Sequence, residues 1–140
     1  MKPGDRVVLE LTHEQAVVVE KAAELLFRLH IGQFNEIKWA LRQHVMETGV
    51  NVDSEAINAT LDTLPHLFFP ELRMNESFNV QCCEECNVAY NVYQAIRYVN
   101  AWHQNPKGSI GVAFDPPHHT GVPIPKCYLV KEGEASENDD

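Results

Sequence analysis

The sequence predicts an α+β fold: a helix-dominated single domain with a small antiparallel sheet and a long central helix near residues 84–104. Three observations lead to this prediction. Apolar residues recur at helical spacing in four segments, and alternating, strand-like patterns occupy only short stretches beside them. With 140 residues and 44% hydrophobic content, the chain is also long enough to bury a core of its own.

A short strand and a helix are predicted first. Residues 6–11 alternate between apolar and other side chains, which indicates the strand. Thr12-His13-Glu14-Gln15 matches a capping box, in which the Thr12 hydroxyl accepts from the third helical amide and Gln15 reaches back. A helix therefore begins at Thr12. Its predicted buried residues are Val18, Ala22, Leu25 and Leu29.

Two further helices follow. Gly32 interrupts the first apolar period, and a second period predicts a helix from Phe34 that stops at residues 48–49. A third helix is predicted to begin near residues 53–54 and to end or kink at Pro65. The predicted buried residues of the second helix are Phe34, Ile37, Leu41 and Val45. Core packing is also expected for the phenylalanines after the third helix, Phe68 and Phe69.

The segment from 86 to 106 contains a single formally charged side chain, Arg97, in a chain of which 22% is charged. Its apolar residues have helical spacing, and the predicted buried stripe is Ala89, Val92, Ile96 and Val99. The opposite stripe carries amides and aromatic residues where a solvated helix carries Lys and Glu. Its members are Asn87, Tyr90, Gln94, Arg97 and Tyr98. This composition is typical of interfaces and ligand-lined grooves.

The remaining strands are predicted on either side of this long helix. Residues 76–81 precede it, and residues 109–114 and 123–129 follow it, the last as an edge strand limited by its prolines. We expect residues 1–130 to form a single globular domain. Residues 131–140 hold five acids, one base and no bulky apolar side chain, which predicts an acidic, disordered tail.

Composition excludes several classes of protein. The formal net charge is −9 and no cluster of Lys and Arg is present, which argues against a nucleic-acid partner. No apolar run approaches the length of about 20 residues that a membrane span requires, and the N-terminus lacks a signal-peptide pattern. We therefore expect no membrane partner and a cytoplasmic location.

Four cysteines raise the questions of metal binding and thiol catalysis. Cys82, Cys83, Cys86 and the distant Cys127, together with His118-His119, are residues of the types that bind zinc. The spacing lacks a second ligand pair, so we expect free thiols, no metal and no cofactor. Motifs for hydrolytic or phosphate-gripping catalysis are absent, and no signature selects one cysteine as a nucleophile. The sequence thus predicts a protein that is not an enzyme.

Two arginines are candidate anion ligands. No acidic residue lies within four positions of Arg97, so it either meets an acid from elsewhere in the fold or binds an anion such as phosphate. Arg28 either pairs with Glu24, one helical turn earlier, or recognises an anion. Nearby aromatic residues either stack on a purine or pack in the core. They are Tyr90, Tyr93, Tyr98 and Trp102.

Polar and ring-bearing residues also end the long helix. Trp102, His103 and Lys107 either cap this end or contact a ligand. No catalytic and no metal-binding residue is assigned. The complete set predicted to bind ligand is Arg28, Gln33, Phe34, Phe78, Tyr90, Gln94, Arg97, Trp102, His103 and Lys107.

Two segments together resemble a family of small phage proteins. Residues 25–37, LLFRLHIGQFNEI, are similar to a pattern of leucine, aromatic residue and arginine followed by Gly-Gln-aromatic. Residues 89–102, followed by N-P-K-G at 105–108 and F-D-P-P at 114–117, are similar to A-Y-D-I-x-Q-V-I-R-x-x-x-A-W and N-P-x-G. Over most of residues 7–117 the chain therefore resembles the first family of Thoeris anti-defence proteins.

The resemblance implies both a function and an assembly. Members of that family are not enzymes; they are sponges that sequester the cyclic ADP-ribose isomers made by bacterial TIR-domain proteins, and some also hold cyclic oligonucleotides of CBASS systems. They form dimers that build a hexamer, with ligand pockets at subunit junctions. By this resemblance we expect a homo-oligomer, dimer or hexamer, that blocks antiphage defence in the host cell cytoplasm.

The chain departs from the family pattern at three places. Phe27 stands where Tyr is usual, Asn91 stands where Asp is usual, and Cys82-Cys83 has no counterpart, which affects the choice of ligand more than the fold. Two alternative functions stay open: a phage interaction module that targets a host protein, and a cyclic-nucleotide hydrolase. Release of an intact ligand on heating is expected only of the sponge.

Overall fold

The computed structural model describes residues 2–134, and the regular secondary structure within them is entirely helical. The elements are α1 (His13–His30), α2 (Glu36–Thr48), α3 (Ser54–Phe68), α4 (Glu84–Gln104) and a 3-10 helix (Val112–Phe114). No strand forms among the described residues, so the predicted α+β class with a small antiparallel sheet is wrong for this part of the chain. Residues 135–140, most of the predicted acidic tail, lie outside the described residues.

The predicted strands are wrong because none of them forms a ladder of backbone hydrogen bonds with a second strand within residues 2–134. They are residues 6–11, 76–81, 109–114 and 123–129. The first is almost fully exposed, and in the second the Phe78 amide donates to the Ile31 carbonyl at 3.0 Å without a ladder around it. The third forms the 3-10 helix, and the fourth contains Pro123 and Pro125, which have no N–H to donate. A segment with alternating apolar and polar residues becomes a strand only where a second strand supplies backbone hydrogen bonds.

Capping signals at the helix starts are confirmed. The Thr12 hydroxyl accepts from the Gln15 amide at 3.2 Å, and the Gln15 side chain accepts from the Thr12 amide at 2.9 Å. The Asp53 carboxylate caps α3 by accepting from the Ala56 amide at 3.0 Å. α3 does not end at Pro65, which lies inside the helix, but extends to Phe68.

The core lies where α1 packs against α4. Its buried members are Phe27, Ile31, Cys86, Ala89 and Tyr93. On α1 this face differs from the predicted stripe, because Val18 is 65% exposed and Ala22 is exposed, whereas Phe27 is 4% exposed. Burial of a phenylalanine ring removes more apolar surface from water than burial of Val or Ala, so α1 turns its Phe27 face towards α4.

α2 and α3 contribute less to this core. Leu41, predicted to be buried, is 54% exposed, and Phe68 is 66% exposed. Core packing is confirmed for Phe34, whereas Phe69 is half-buried, with ring centroids 6.3 Å from Phe34 and 5.1 Å from Phe78. None of the helices in residues 2–134 has the length and apolar character that a bilayer span requires.

α4 is the central element and has the predicted bounds. One side of α4 packs on α1, and the C-terminal segment around residues 112–120 covers another side. The amides that the sequence placed on an outward stripe are therefore buried, at 7% exposure for Asn87 and 1% for Gln94. Val88, on a third side, is half exposed at 45%. The low charge of this helix is explained first by burial on two sides.

Candidate anion-binding site

Packing of α1 against α4 brings the two candidate arginines to one set of aromatic rings. The ring centroids of Phe27 and Tyr93 lie 5.1 Å apart. The guanidinium of Arg28 lies 5.3 Å from the Phe27 centroid, and that of Arg97 lies 4.8 Å from the Tyr93 centroid. Tyr90 contacts Phe27 edge to face at 5.2 Å. We call these five side chains, which lie up to 70 positions apart in the sequence, the arginine–aromatic cluster.

Arg97 has no carboxylate partner among the described residues. Its Nη1 donates to the Tyr93 hydroxyl at 3.2 Å, and the guanidinium stacks on the same ring. Its Nε is buried and has no hydrogen-bond acceptor in residues 2–134. The sequence left two alternatives for Arg97, an acid from elsewhere in the fold or an anion such as phosphate. No acidic side chain among the described residues lies within ion-pair distance of Arg97. The guanidinium keeps donor capacity for another group.

Arg28, in contrast, is engaged within the chain. Its guanidinium lies 3.4 Å from the Glu24 carboxylate and 3.5 Å from the Glu36 carboxylate. Its Nη1 also donates to the Gln33 side-chain oxygen. Burial and then the neighbouring Glu24 carboxylate raise the pKa of Glu36, although Arg28 opposes this shift. Pairing with Glu24 was the predicted alternative to anion recognition by Arg28. Glu36, at the start of α2, is a second acidic partner of the same guanidinium.

Tyr93 accepts a hydrogen bond from Arg97 and lies beside Glu24, the carboxylate that pairs with Arg28. Burial is the main cause that raises the pKa of the Tyr93 hydroxyl, and the neighbouring Glu24 carboxylate raises it further, whereas Arg97 lowers it. Tyr93 is one of the aromatic residues for which the sequence allows stacking on a purine, and it is not in the predicted ligand-binding set. Its position one helical turn before Arg97 was the signal that could have added it.

Gln94 was predicted to bind ligand, but it holds the C-terminal segment. Its Nε2 donates to the His118 carbonyl at 2.7 Å, and its Oε1 accepts from the His118 amide at 2.7 Å. Asn87 and Asn91 continue this row, donating to the backbone carbonyl and the hydroxyl of Thr120 at 2.9 and 2.6 Å. A buried amide needs partners for both its donor and its acceptor, and these backbone groups supply them. Gln94 is therefore not accessible to a ligand in the single chain.

The residues predicted at the end of α4 form a separate group. The Trp102 indole nitrogen donates to the Phe114 carbonyl at 3.3 Å, and the two rings lie 5.3 Å apart. Gly108 has a φ of +76° and sits so close that a Cβ there would lie 2.8 Å from the Trp102 ring. His103 stacks against the His13 ring at 4.6 Å. Lys107 is exposed, and none of the contacts described for this group involves the arginine–aromatic cluster.

Three further predicted ligand residues have neighbours of different kinds. Gln33 binds Arg28 and so belongs beside the cluster. Phe34 is 6% exposed and packs on Phe68 and Phe69. Phe78 is half-buried against Phe69 and against the core of α1 and α4. The two phenylalanines are thus primarily packing residues in the single chain.

An open apolar groove runs between α1 and α4 beside the cluster. Its volume is about 420 Å³, and its walls are Val19, Ala22, Ala23, Leu26, Glu85, Val88, Ala89 and Val92. Apart from the one acid these side chains are apolar, and Ala22, Leu26 and Val88 among them are exposed. As for metals, no three His, Cys, Asp or Glu side chains within residues 2–134 come together in a way that could hold an ion.

Comparisons with protein-family models, with curated proteins and with solved structures found no match to this chain.

Proposed function

We propose that the protein binds and sequesters a nucleotide-derived immune signal without converting it, in the manner of the first family of Thoeris anti-defence phage proteins. Cyclic ADP-ribose isomers are the leading ligand class, and cyclic oligonucleotides of CBASS systems are the second. The protein would act in the cytoplasm of the host cell. The observation that carries this proposal is Arg97, a half-buried arginine that has no carboxylate partner in residues 2–134.

A phosphate would complete the hydrogen bonds of Arg97. A buried donor without an acceptor costs about 1–3 kcal/mol, and the buried Nε of Arg97 is such a donor. The planar guanidinium offers two parallel N–H groups to a phosphate, which makes bidentate contacts the favoured mode of binding. Tyr93 restricts the guanidinium by stacking and by accepting from Nη1. The guanidinium is therefore held in place for one phosphate group, and the groups that cover its buried Nε have to move for that atom to donate.

The aromatic part of the cluster supports recognition of a nucleobase. Tyr90 is half-buried, with its ring packed against Phe27 and 6.5 Å from that of Tyr93. A partly exposed tyrosine ring provides a flat surface on which a purine stacks, independently of its edge groups. A cyclic ADP-ribose isomer carries both an adenine and two phosphates, so it would use both parts of the cluster.

A second subunit is needed to explain the predicted residues at the far end of α4. Tyr90 and Trp102 are twelve residues apart on one helix, a distance of about 18 Å along its axis. Arg28 is also neutralised by Glu24 and Glu36, so the arginine–aromatic cluster of one chain supplies one arginine without an ion pair for two phosphates. We propose that a homo-oligomer joins the arginine–aromatic cluster of one subunit to Trp102, His103 and Lys107 of another. The open groove between α1 and α4 would form the contact between subunits.

Incubation with a cyclic ADP-ribose isomer tests the proposal directly. After removal of free ligand by gel filtration, the complex is heated and the supernatant is analysed by liquid chromatography and mass spectrometry. A sponge releases the intact cyclic ligand in proportion to its binding sites. A linear product would identify a cyclic-nucleotide hydrolase and contradict the proposal.

An interaction module that targets a host protein is the second candidate. It is favoured by the apolar side chains that α2 and α3 present to solvent, among them Trp39 at 62%, Leu67 at 72% and Phe68 at 66% exposure. A thermal-shift panel of nucleotides separates the two candidates. A ligand at a hundredfold excess over its Kd stabilises a sponge by about 2.7 kcal/mol, whereas an interaction module shows no shift with any nucleotide.

A further inference from the structure

The first turn of α4 places a thiol beside an imidazole that contacts a carboxylate. Cys83 is the N-cap residue of α4, and its Sγ lies 3.5 Å from His30 Nδ1 at the end of α1. His30 Nε2 lies 2.9 Å from the Glu85 carboxylate. The three residues come from two helices, and they meet because α1 packs on α4. The cysteine motif thus acquires a base that the sequence did not reveal.

One tautomer of His30 satisfies both contacts. With its proton on Nε2, the ring donates to the acceptor-only carboxylate of Glu85 and leaves Nδ1 free to accept from the Cys83 thiol. Glu85 then orients the imidazole and stabilises the imidazolium that forms when the thiol proton moves to Nδ1. The Cys86 amide, 3.4 Å from the Cys83 Sγ, is a further donor towards the resulting thiolate. The arrangement is that of an activated nucleophile and its base.

We propose that Cys83 is a reactive thiol that is oxidised by hydroperoxides and that Cys86 resolves the product as an intramolecular disulfide. Cys83, His30 and Glu85 are not members of the arginine–aromatic cluster, although Cys86 contacts Phe27, and their chemistry does not depend on the proposed nucleotide ligand.

The reaction balances with a hydroperoxide as oxidant. His30 takes the thiol proton, and the Cys83 thiolate attacks the terminal peroxide oxygen, forming an S–O bond as the O–O bond breaks. The leaving hydroxide or alkoxide takes the proton from the imidazolium and departs as water or alcohol. The Cys86 sulfur then attacks the Cys83 sulfenic acid, forming the S–S bond, and the expelled hydroxide leaves with the Cys86 proton as water. Two thiols are oxidised and one peroxide is reduced.

Cys86 is placed to act second rather than first. It is fully buried, and burial, followed by the neighbouring Cys82 and Cys83 thiols, raises its pKa to about 12, so it stays a thiol while Cys83 reacts. Its thiol donates to the Phe27 carbonyl at 3.6 Å. By helical geometry the Cα atoms of residues three positions apart lie about 5 Å apart, within the range of Cα–Cα distances that a disulfide spans. Cys82 is the competing resolving residue and is distinguished by the test.

The test uses the reduced full-length protein, hydrogen peroxide and no nucleotide. After timed exposure, free thiols are alkylated and the protein is cleaved after glutamate, which separates Cys83 from Cys86 at Glu84 and Glu85. We expect a disulfide that holds these two fragments together, formed faster than Cys127 is oxidised. In Cys86→Ser, a sulfenic acid on Cys83 should accumulate and be trapped by dimedone.

Glu85→Gln and its neighbour Glu84→Gln form a matched pair. Both remove one negative charge from the first turn of α4, but only Glu85 contacts His30. We expect Glu85→Gln and His30→Gln to slow oxidation of Cys83 by about tenfold or more, with Glu84→Gln close to wild type. Because these side chains are at least partly exposed, circular dichroism is expected to show unchanged folding. Equal rates for the two glutamate variants, a Cys82–Cys83 disulfide, or oxidation of Cys83 no faster than Cys127 would each overturn the proposal.

Discussion

Arg97 differs from an ordinary surface arginine in what surrounds it. A surface arginine is solvated or paired with an acid, whereas the Arg97 guanidinium stacks on Tyr93 and has a buried Nε without an acceptor in residues 2–134. Arg28, which lies in the same cluster, has two acids and an amide as partners, and its Nε, also buried without a hydrogen-bond acceptor in the described residues, lies 3.5 Å from the Glu36 carboxylate. The two arginines therefore differ in their availability to a ligand.

Arg97→Ala is expected to weaken nucleotide binding while leaving the fold intact. Loss of hydrogen bonds to a charged group costs about 1.5–3 kcal/mol, or about 10- to 150-fold in Kd. Isothermal titration calorimetry with a cyclic ADP-ribose isomer measures the change. Arg73→Ala, which removes an exposed arginine outside the cluster, is the control and should bind as wild type does. Wild-type affinity in Arg97→Ala would refute the anion role.

Gln94 is expected to be a stability residue. Gln94→Ala leaves the His118 amide and carbonyl without their partners, and we expect a loss of about 2–4 kcal/mol in the free energy of unfolding. Urea denaturation followed by circular dichroism measures it. Gln43→Ala is the control. It removes an exposed glutamine that donates a hydrogen bond to Glu47 at 2.8 Å, and it should lower the free energy of unfolding by less than about 0.5 kcal/mol. A similar small loss in both variants would show that the His118 clamp does not contribute.

At the scale of the element, helix ends and helix faces behave differently. The capping box at Thr12 involves groups three residues apart, so the sequence alone identifies the start of α1. The buried face of α1 depends on what α4 offers opposite it, and there Phe27 is buried while Val18 is exposed. The face of α4 is likewise decided by residues 118–120, which are distant in sequence and cover its amides.

Thr12→Ala tests the capping interaction as an element-scale property. We expect a loss of about 1 kcal/mol in the free energy of unfolding, because the first amides of α1 lose a side-chain acceptor. Thr63→Ala is the control, since its hydroxyl donates to the Ala59 carbonyl on an exposed face of α3 and caps no helix start. Chemical denaturation of both variants measures the difference. Equal stabilities would mean that α1 is held by packing on α4 alone.

At the scale of the whole molecule, the single chain leaves much apolar surface in water. The groove between α1 and α4 has Val88 at 45% and Leu26 at 40% exposure, although these two helices form the core. Exposed apolar surface of this kind marks association sites. A homo-oligomer would bury it and would bring the arginine–aromatic cluster of one subunit to the C-terminal end of α4 of another.

Leu26→Arg is expected to disrupt this assembly. A charge in the groove would have to be buried at the subunit contact without a partner, which disfavours association. Native mass spectrometry and light scattering should show an oligomer for the wild type and a monomer for the variant. Leu67→Arg, on an exposed position of α3 outside the groove, should keep the wild-type mass. A monomeric wild type, or an unchanged mass in Leu26→Arg, would contradict the proposed contact.

The sequence by itself determined the properties that depend on near neighbours along the chain. These are the positions of the helices, the cap at Thr12, the extent of α4 and the absence of an acid near Arg97 within its own helix. It also led to the prediction of strands, because alternation is local, whereas the partner that a strand needs is not. Only the tertiary structure decided that these partners are missing in residues 2–134, that Gln94 clamps His118, and that Arg28 is already paired. The physical reason is that burial and pairing depend on two surfaces in contact, whereas the sequence of one segment specifies only the surface of that segment.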